Sequence, residues 1–190
     1  MKKIFLTFLA VSFIFSANAW AGGNSDILAP DRVEKWDFGV GIAAGMNDGV
    51  DDAAFVSAAL SYGVTPYIGL GIEAGWQEAD GEDNIDTTVG VVPIMADIFL
   101  RIPTVHEKLV PYGVLGLGGA GVYVEQENRD DVDDTAFTWK LGAGADWFID
   151  QNWIFNFELA YWSAGVDLPR TVITDDFDWW TVGISLKYVF

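Results

Sequence analysis

The carboxy-terminal residues 178–190, DWWTVGISLKYVF, restrict the fold of this chain more than any other stretch. Counting back from the end, Phe190, Tyr188, Leu186, Ile184, Val182 and Trp180 form one alternate set. Val189, Lys187, Ser185, Gly183, Thr181 and Trp179 form the other. Side chains repeat every two residues along a strand and about every 3.6 along a helix, so this pattern predicts a strand. Its apolar face is aromatic at both ends and aliphatic between, the profile of a strand crossing a bilayer between its two interfaces.

The same alternation recurs upstream over residues 36–47, 53–65, 67–78, 87–102, 135–149 and 153–162. Residues 110–125 are so rich in Gly and Val that neither face stands out. With the terminal segment the count is eight, an even number suited to antiparallel closure. The expectation is an all-β, eight-stranded antiparallel up-and-down transmembrane β-barrel over residues 36–190. Connections alternate too. Thr65-Pro66, the Pro-containing 103–108 and Asp150-Gln151-Asn152 are short, whereas 48–52, 79–86, 126–134 and 163–177 are longer and acidic. Short periplasmic turns and longer external loops are the asymmetry of an outer-membrane barrel.

The amino-terminus reads as a leader. Met1-Lys2-Lys3, an apolar run over 4–15 and a small-residue ending describe a cleaved signal peptide, expected to span 1–21. Both Ala17-Asn18-Ala19 and Ala19-Trp20-Ala21 fit the cut, the latter being preferred. The run is too short for a membrane-spanning helix of about 20 residues. Residues 22–35 are polar and aperiodic, and are expected to form a flexible periplasmic lead-in.

Beyond residue 21 the chain has 8 basic and 28 acidic residues, a net charge of −20. Such acidity argues against nucleic acid as a partner. Yet the chain is 51% hydrophobic and 15% aromatic, which is compatible with that charge only if the two are segregated. There is no cysteine, hence no disulfide framework, thiolate chemistry or lipidated Cys.

Alternation alone does not say which face points outward, because soluble barrels alternate as well. Two features favour apolar-out. The other face is mostly Gly, Ala, Ser and Thr, which suit a narrow interior, not a water-facing surface dense in Lys and Glu. The aromatics also sort by height. Trp36, Tyr67, Trp147, Trp153, Tyr188 and Phe190 fall at the periplasmic end; Trp76, Tyr123, Trp139, Tyr161, Trp179 and Trp180 fall at the outer end. Two belts are a membrane signature.

Three stretches carry a resemblance: VTPYIGLG over 64–71, LGAGADWF over 141–148, and Asp150-Gln151-Asn152-Trp153 leading into FELAY over 157–161. With the aromatic terminus, they make the chain similar to the small outer-membrane β-barrels that include the opacity-type and OmpA/OmpX-type eight-stranded proteins. The resemblance covers essentially all residues after the leader. It implies a monomer in the bacterial outer membrane, among its lipids and lipopolysaccharide, assembled by the barrel-assembly machinery through the carboxy-terminal strand. It says little about function, since members of one fold do different things.

The inward-facing charges are Asp37, Glu73, Asp97, Arg101, Lys140, Asp146, Glu158 and Lys187. They are expected to pair across the lumen, because an unpaired buried charge costs several kcal/mol. Glu73, Lys140 and Glu158 are expected in the middle-to-outer part, and Asp97, Arg101, Asp146 and Lys187 lower. They read as a polar core that plugs the barrel, or alternatively as a switchable ion gate. The loops concentrate Asp48, Asp51, Asp52, Asp80, Glu82, Asp83, Asp86, Asp130, Asp131, Asp133 and Asp134. These read as solvated surface, or as oxygen ligands for divalent cations, although no loop has EF-hand spacing. The single histidine, His106, lies in a periplasmic connector away from Ser57, Ser61 and Ser185, so no serine–histidine site is expected. The expected role is structural or surface-interactive (envelope integrity or adhesion) with no enzymatic activity and no cofactor. A narrow porin-like channel is the alternative, and a lipid-modifying enzyme the third reading.

Overall fold

The computed structural model describes residues 32–47, 53–80, 87–102, 108–126, 132–165 and 177–190. Eight strands follow in chain order: β1 (Trp36–Asn47), β2 (Ala53–Gly63), β3 (Ile68–Asp80), β4 (Thr87–Arg101), β5 (Leu109–Gln126), β6 (Val132–Phe148), β7 (Trp153–Gly165) and β8 (Phe177–Val189). Each pairs antiparallel with the next, and β8 returns to pair with β1, so the sheet closes as a barrel. Closure removes the free edges that would otherwise present unpaired backbone groups to the bilayer.

The terminal strand makes the seam. Val40 lies opposite Leu186 and Ile42 opposite Ile184 on one face, while Gly39 meets Lys187 and Gly41 meets Ser185 on the other. The apolar set points outward. Ile72, Ile94, Phe157 and Leu186 are 60%, 64%, 49% and 42% exposed, whereas Lys140 is fully buried. The segregation of charge from apolar surface demanded by composition is thus achieved across the thickness of one sheet.

Strand ends follow backbone pairing, not side-chain character. β6 begins at Val132, upstream of the expected 135, because Asp133 and Asp134 pair with Tyr123 and Val122 in the ladder. β7 likewise continues to Gly165 beyond the expected 162. β2 stops at Gly63, and Thr65 Oγ1 accepts the amides of Tyr67 at 3.2 Å and Ile68 at 2.9 Å to form the turn into β3. The facing of β5, undecidable by alternation, is now fixed. Val110, Tyr112, Val114 and Val122 point inward, while Leu115 and Leu117 point outward. Both sets are apolar, which is why the pattern was silent.

Two expectations are corrected. Trp179 does not belong to the outer aromatic belt; it is buried, on the same face as Thr181, and stacks on Trp162 inside the barrel. Period two requires this, since its neighbour Trp180 faces out. The lead-in is not free throughout its length. Glu34 N–H donates to the Gly63 carbonyl at 2.8 Å, and Gly63 N–H donates to the Lys35 carbonyl at 3.0 Å. The expected leader, 1–21, and residues 22–31 lie outside the described residues.

Candidate functional site

The barrel has a turn end, which carries β1's start, the carboxy-terminus and the short connections, and a loop end opposite. Its interior is layered between them. At the loop end, inward residues from the outer halves of the strands form an apolar layer that includes Phe55, Val91, Val122, Trp162, Phe177 and Trp179. Trp162 and Trp179 stack with centroids 5.5 Å apart and planes 10° apart, and Phe55 lies 5.4 Å from Trp162. Trp162 Nε1 donates to Thr181 Oγ1 at 3.0 Å, so the one polar atom of that indole is satisfied.

Below this layer stands Lys140. Its Nζ pairs with Glu73, with Asp97 Oδ2 at 3.0 Å and with Glu158 Oε1 at 3.8 Å, and lies 5.0 Å from the Trp162 ring. Asp97 therefore belongs with Lys140, not in the lower group where strand counting placed it. The register explains the difference: Asp97 and Lys140 both lie opposite Gly116, one on each side of β5. Gly116 is a necessary gap. A Cβ there would stand 3.3 Å from Lys140 Cβ and Cε and would collide with Asp97 Oδ1.

From Glu158 the polar contacts run on toward the turn end. Tyr112 Oη donates to Glu158 Oε2 at 2.7 Å and accepts from Asn156 Nδ2 at 2.8 Å. Asn156 Nδ2 also reaches Asp146 Oδ1 at 2.8 Å, and Lys187 Nζ donates to the same oxygen at 3.1 Å. Asp146 Oδ2 accepts from Arg32 Nη1 at 2.5 Å, and Arg32 Nη2 donates to Asp37. Burial opposes the charge of Arg32, but the carboxylates of Asp146 and Asp37 outweigh it and raise its pKa above the ordinary arginine value.

Of the eight inward charges expected from sequence, seven are brought into ion pairs. Arg101 is the exception. Among the described residues it has no carboxylate partner, its Nη1 is buried without a hydrogen bond, and its guanidinium stands against the positions where Gly63 and Gly69 lack a Cβ. Arg32 and Lys187 already occupy the nearby carboxylates. Alternation reasoning missed Arg32, which precedes the first strand, as well as Tyr112 on the unassigned strand and Asn156, an uncharged residue that joins the two charge groups.

A cavity of about 70 Å³ lies beside these groups, lined by Ser57, Glu73, Asp97, Lys140, Glu158 and Lys187 among others. Its lining mixes these polar groups with apolar ones such as Phe55, Phe99 and Trp162, and it is large enough for several waters. Among the described residues no cluster of three or more His, Cys, Asp or Glu could hold a metal ion. Of the acidic loop positions, Asp80 is described and exposed, accepting from Thr88 Oγ1 at 3.4 Å. Asp133 and Asp134 are in β6. Asp48, Asp51, Asp52, Glu82, Asp83, Asp86, Asp130 and Asp131, with His106, lie outside the described residues.

The expected belts are otherwise found on the outer surface. Tyr161 lies 5.3 Å from Trp139 and 5.1 Å from Trp180 toward the loop end, and Trp153 lies 4.9 Å from Tyr188 toward the turn end. A closed barrel with an apolar exterior, two aromatic belts and a charged interior has its counterpart in a family profile, the outer membrane protein beta-barrel domain, that matches residues 7–190. The chain belongs to this outer-membrane β-barrel family. It is accordingly a protein of the bacterial outer membrane.

Relatives agree with the assignment. The 31 kDa outer-membrane immunogenic protein of Brucella melitensis is 27% identical over 191 residues, covering 94% of this chain and 75% of the relative. Among solved structures, Neisserial surface protein A superposes with a TM-score of 0.64 at 11% identity, covering 82% of this chain and 96% of that one. Ail, the attachment invasion locus protein of Yersinia pestis, gives 0.54 at 16% identity, covering 82% and 97%. At such identities these two likenesses speak for the fold alone.

Proposed function

We propose that this outer-membrane barrel is a closed-lumen protein whose role is structural and surface-interactive, supporting the envelope or adhering through its loop end. The observation that carries the reading is the layered interior. An aromatic layer, the Lys140 ion cluster and the Arg32–Asp146 pair succeed one another along the axis, and the cavity between them is only about 70 Å³. An eight-stranded barrel is just wide enough for side chains to fill it. Interaction with the surroundings then falls to the loop end, where the acidic residues concentrate. The names of two similar proteins, one immunogenic and one an attachment and invasion protein, are in keeping with exposure at the surface.

In this reading the barrel is non-enzymatic and works without a cofactor, as a monomer. Its neighbours are lipid and lipopolysaccharide, and its assembly depends on the β8 strand. The loop carboxylates hold divalent cations that bridge to lipopolysaccharide phosphate. Refolded protein in planar bilayers should stay at the baseline conductance, and calcium titration should release heat that disappears when Asp48, Asp51 and Asp52 are changed to Asn. Stepwise ion conductance would instead support a narrow channel. That second reading draws on the three carboxylates competing for Lys140, whose exchange between them would work as a gate.

A further inference from the structure

The residues just ahead of β1 are built into the barrel in a way that the strand pattern does not require. Arg32 is buried although it lies outside the sheet. Its guanidinium bridges Asp37 on β1 and Asp146 on β6, with the Phe148 ring 5.9 Å away. Its backbone fills the space over Gly63, where any Cβ would collide with the Arg32 carbonyl. The chain then turns at Glu34, the one non-glycine residue with positive φ among those described, at 61°. Such a conformation is uncommon for a residue with a side chain, and here the Glu34–Gly63 and Gly63–Lys35 backbone bonds hold it. Arg101, which also stands beside Gly63, carries like charge and repels Arg32, so retention falls to the two carboxylates.

We infer that residues 32–35 form a tethered cork: Arg32 seats in a guanidinium site made by Asp37, Asp146 and Gly63 and closes the periplasmic mouth. The cork is part of the chain but not of the sheet, so it can leave while all eight strands stay paired. Two charge-assisted hydrogen bonds to buried carboxylates hold it. The inference rests on the outer-membrane placement and not on whether the lumen conducts.

The chain has no cysteine, so one introduced thiol reports without background. Ser61 is buried, faces inward and lies opposite Asp37, under the cork. In refolded S61C protein a small charged methanethiosulfonate should label slowly. Adding Arg32→Ala should speed labelling by roughly tenfold or more through local opening. Gly63→Ala, which keeps every charge but blocks the seat, should do the same, while Arg32→Lys should fall between. Unchanged mobility of the unheated protein in SDS gels will certify that each variant is folded. Equal labelling of the parent, Arg32→Ala and Gly63→Ala proteins would overturn the cork. A parallel S57C series, beside the inner cavity, separates mouth opening from lumen closure, since closure above the mouth keeps that site protected in all of them.

Discussion

The two ends of the barrel interior are lined by different chemistry. At the loop end Phe55, Trp162, Phe177 and Trp179 line the interior with rings; the Trp162 indole N–H bonds to Thr181, while that of Trp179 is buried without a hydrogen bond among the described residues. From the middle to the turn end, Lys140, Asp97, Asp146 and Arg32 set paired charge among buried apolar side chains such as Phe99, Val110, Phe148 and Ile154. Shape decides the first and pairing decides the second. An apolar layer tolerates a change of side chain that keeps its volume, whereas a buried charge that loses its partner has no cheap alternative.

The largest expected effect tests the charged half. Lys140→Met keeps the length of the side chain but leaves Glu73, Asp97 and Glu158 without their common cation, which should cost about 3–5 kcal/mol. Urea unfolding of the protein refolded into vesicles measures it. Gly116→Ala attacks the same cluster without changing any charge. Its Cβ would press on Lys140 and Asp97, and overpacking of this kind costs about 1–3 kcal/mol. The aromatic half should yield less. Phe55→Leu should cost under about 1.5 kcal/mol in the same assay. If Phe55→Leu proved as costly as Lys140→Met, the contrast between the two halves would fail.

The smallest effect lies outside the membrane, in the β6–β7 turn. Asp150 Oδ1 accepts the amides of Asn152 and Trp153, each at 2.8 Å, and these bonds hold its carboxyl below the usual aspartate range. A depressed folded pKa means that the turn's contribution is present above the ordinary aspartate value and is lost as pH falls through the folded one. Carbon-13 NMR titration of the Asp150 carboxyl should place its midpoint below that of a free aspartate.

How much of this could be read from sequence differs between the same two regions. Apart from β5 and Trp179 the outer face is legible, because lipid demands apolar residues and a strand supplies a strict period of two: Ile72, Phe157 and Leu186 all face out. The interior was legible only in facing. Strand counting set Asp97 below Lys140, since it ignores the stagger that closure imposes on tilted strands. The expectation of a small and polar filling held near Gly39, Gly41 and Ser57, but the loop-end aromatics contradict it; Trp179 was assigned to a belt because its residue type outweighed its parity. Arg32 carried no signal, because a residue outside the repeat is placed by tertiary contacts alone.

The central claim, that apolar side chains meet lipid while the alternate set fills the interior, is tested most directly along β8. Single cysteines at residues 182 to 188, each spin-labelled and reconstituted in a bilayer, would report oxygen collision rate, which is high in lipid and low inside a packed barrel. The account predicts maxima at Val182, Ile184, Leu186 and Tyr188 and minima at Gly183, Ser185 and Lys187. Maxima on the Gly183, Ser185 and Lys187 set, or no alternation at all, would contradict it.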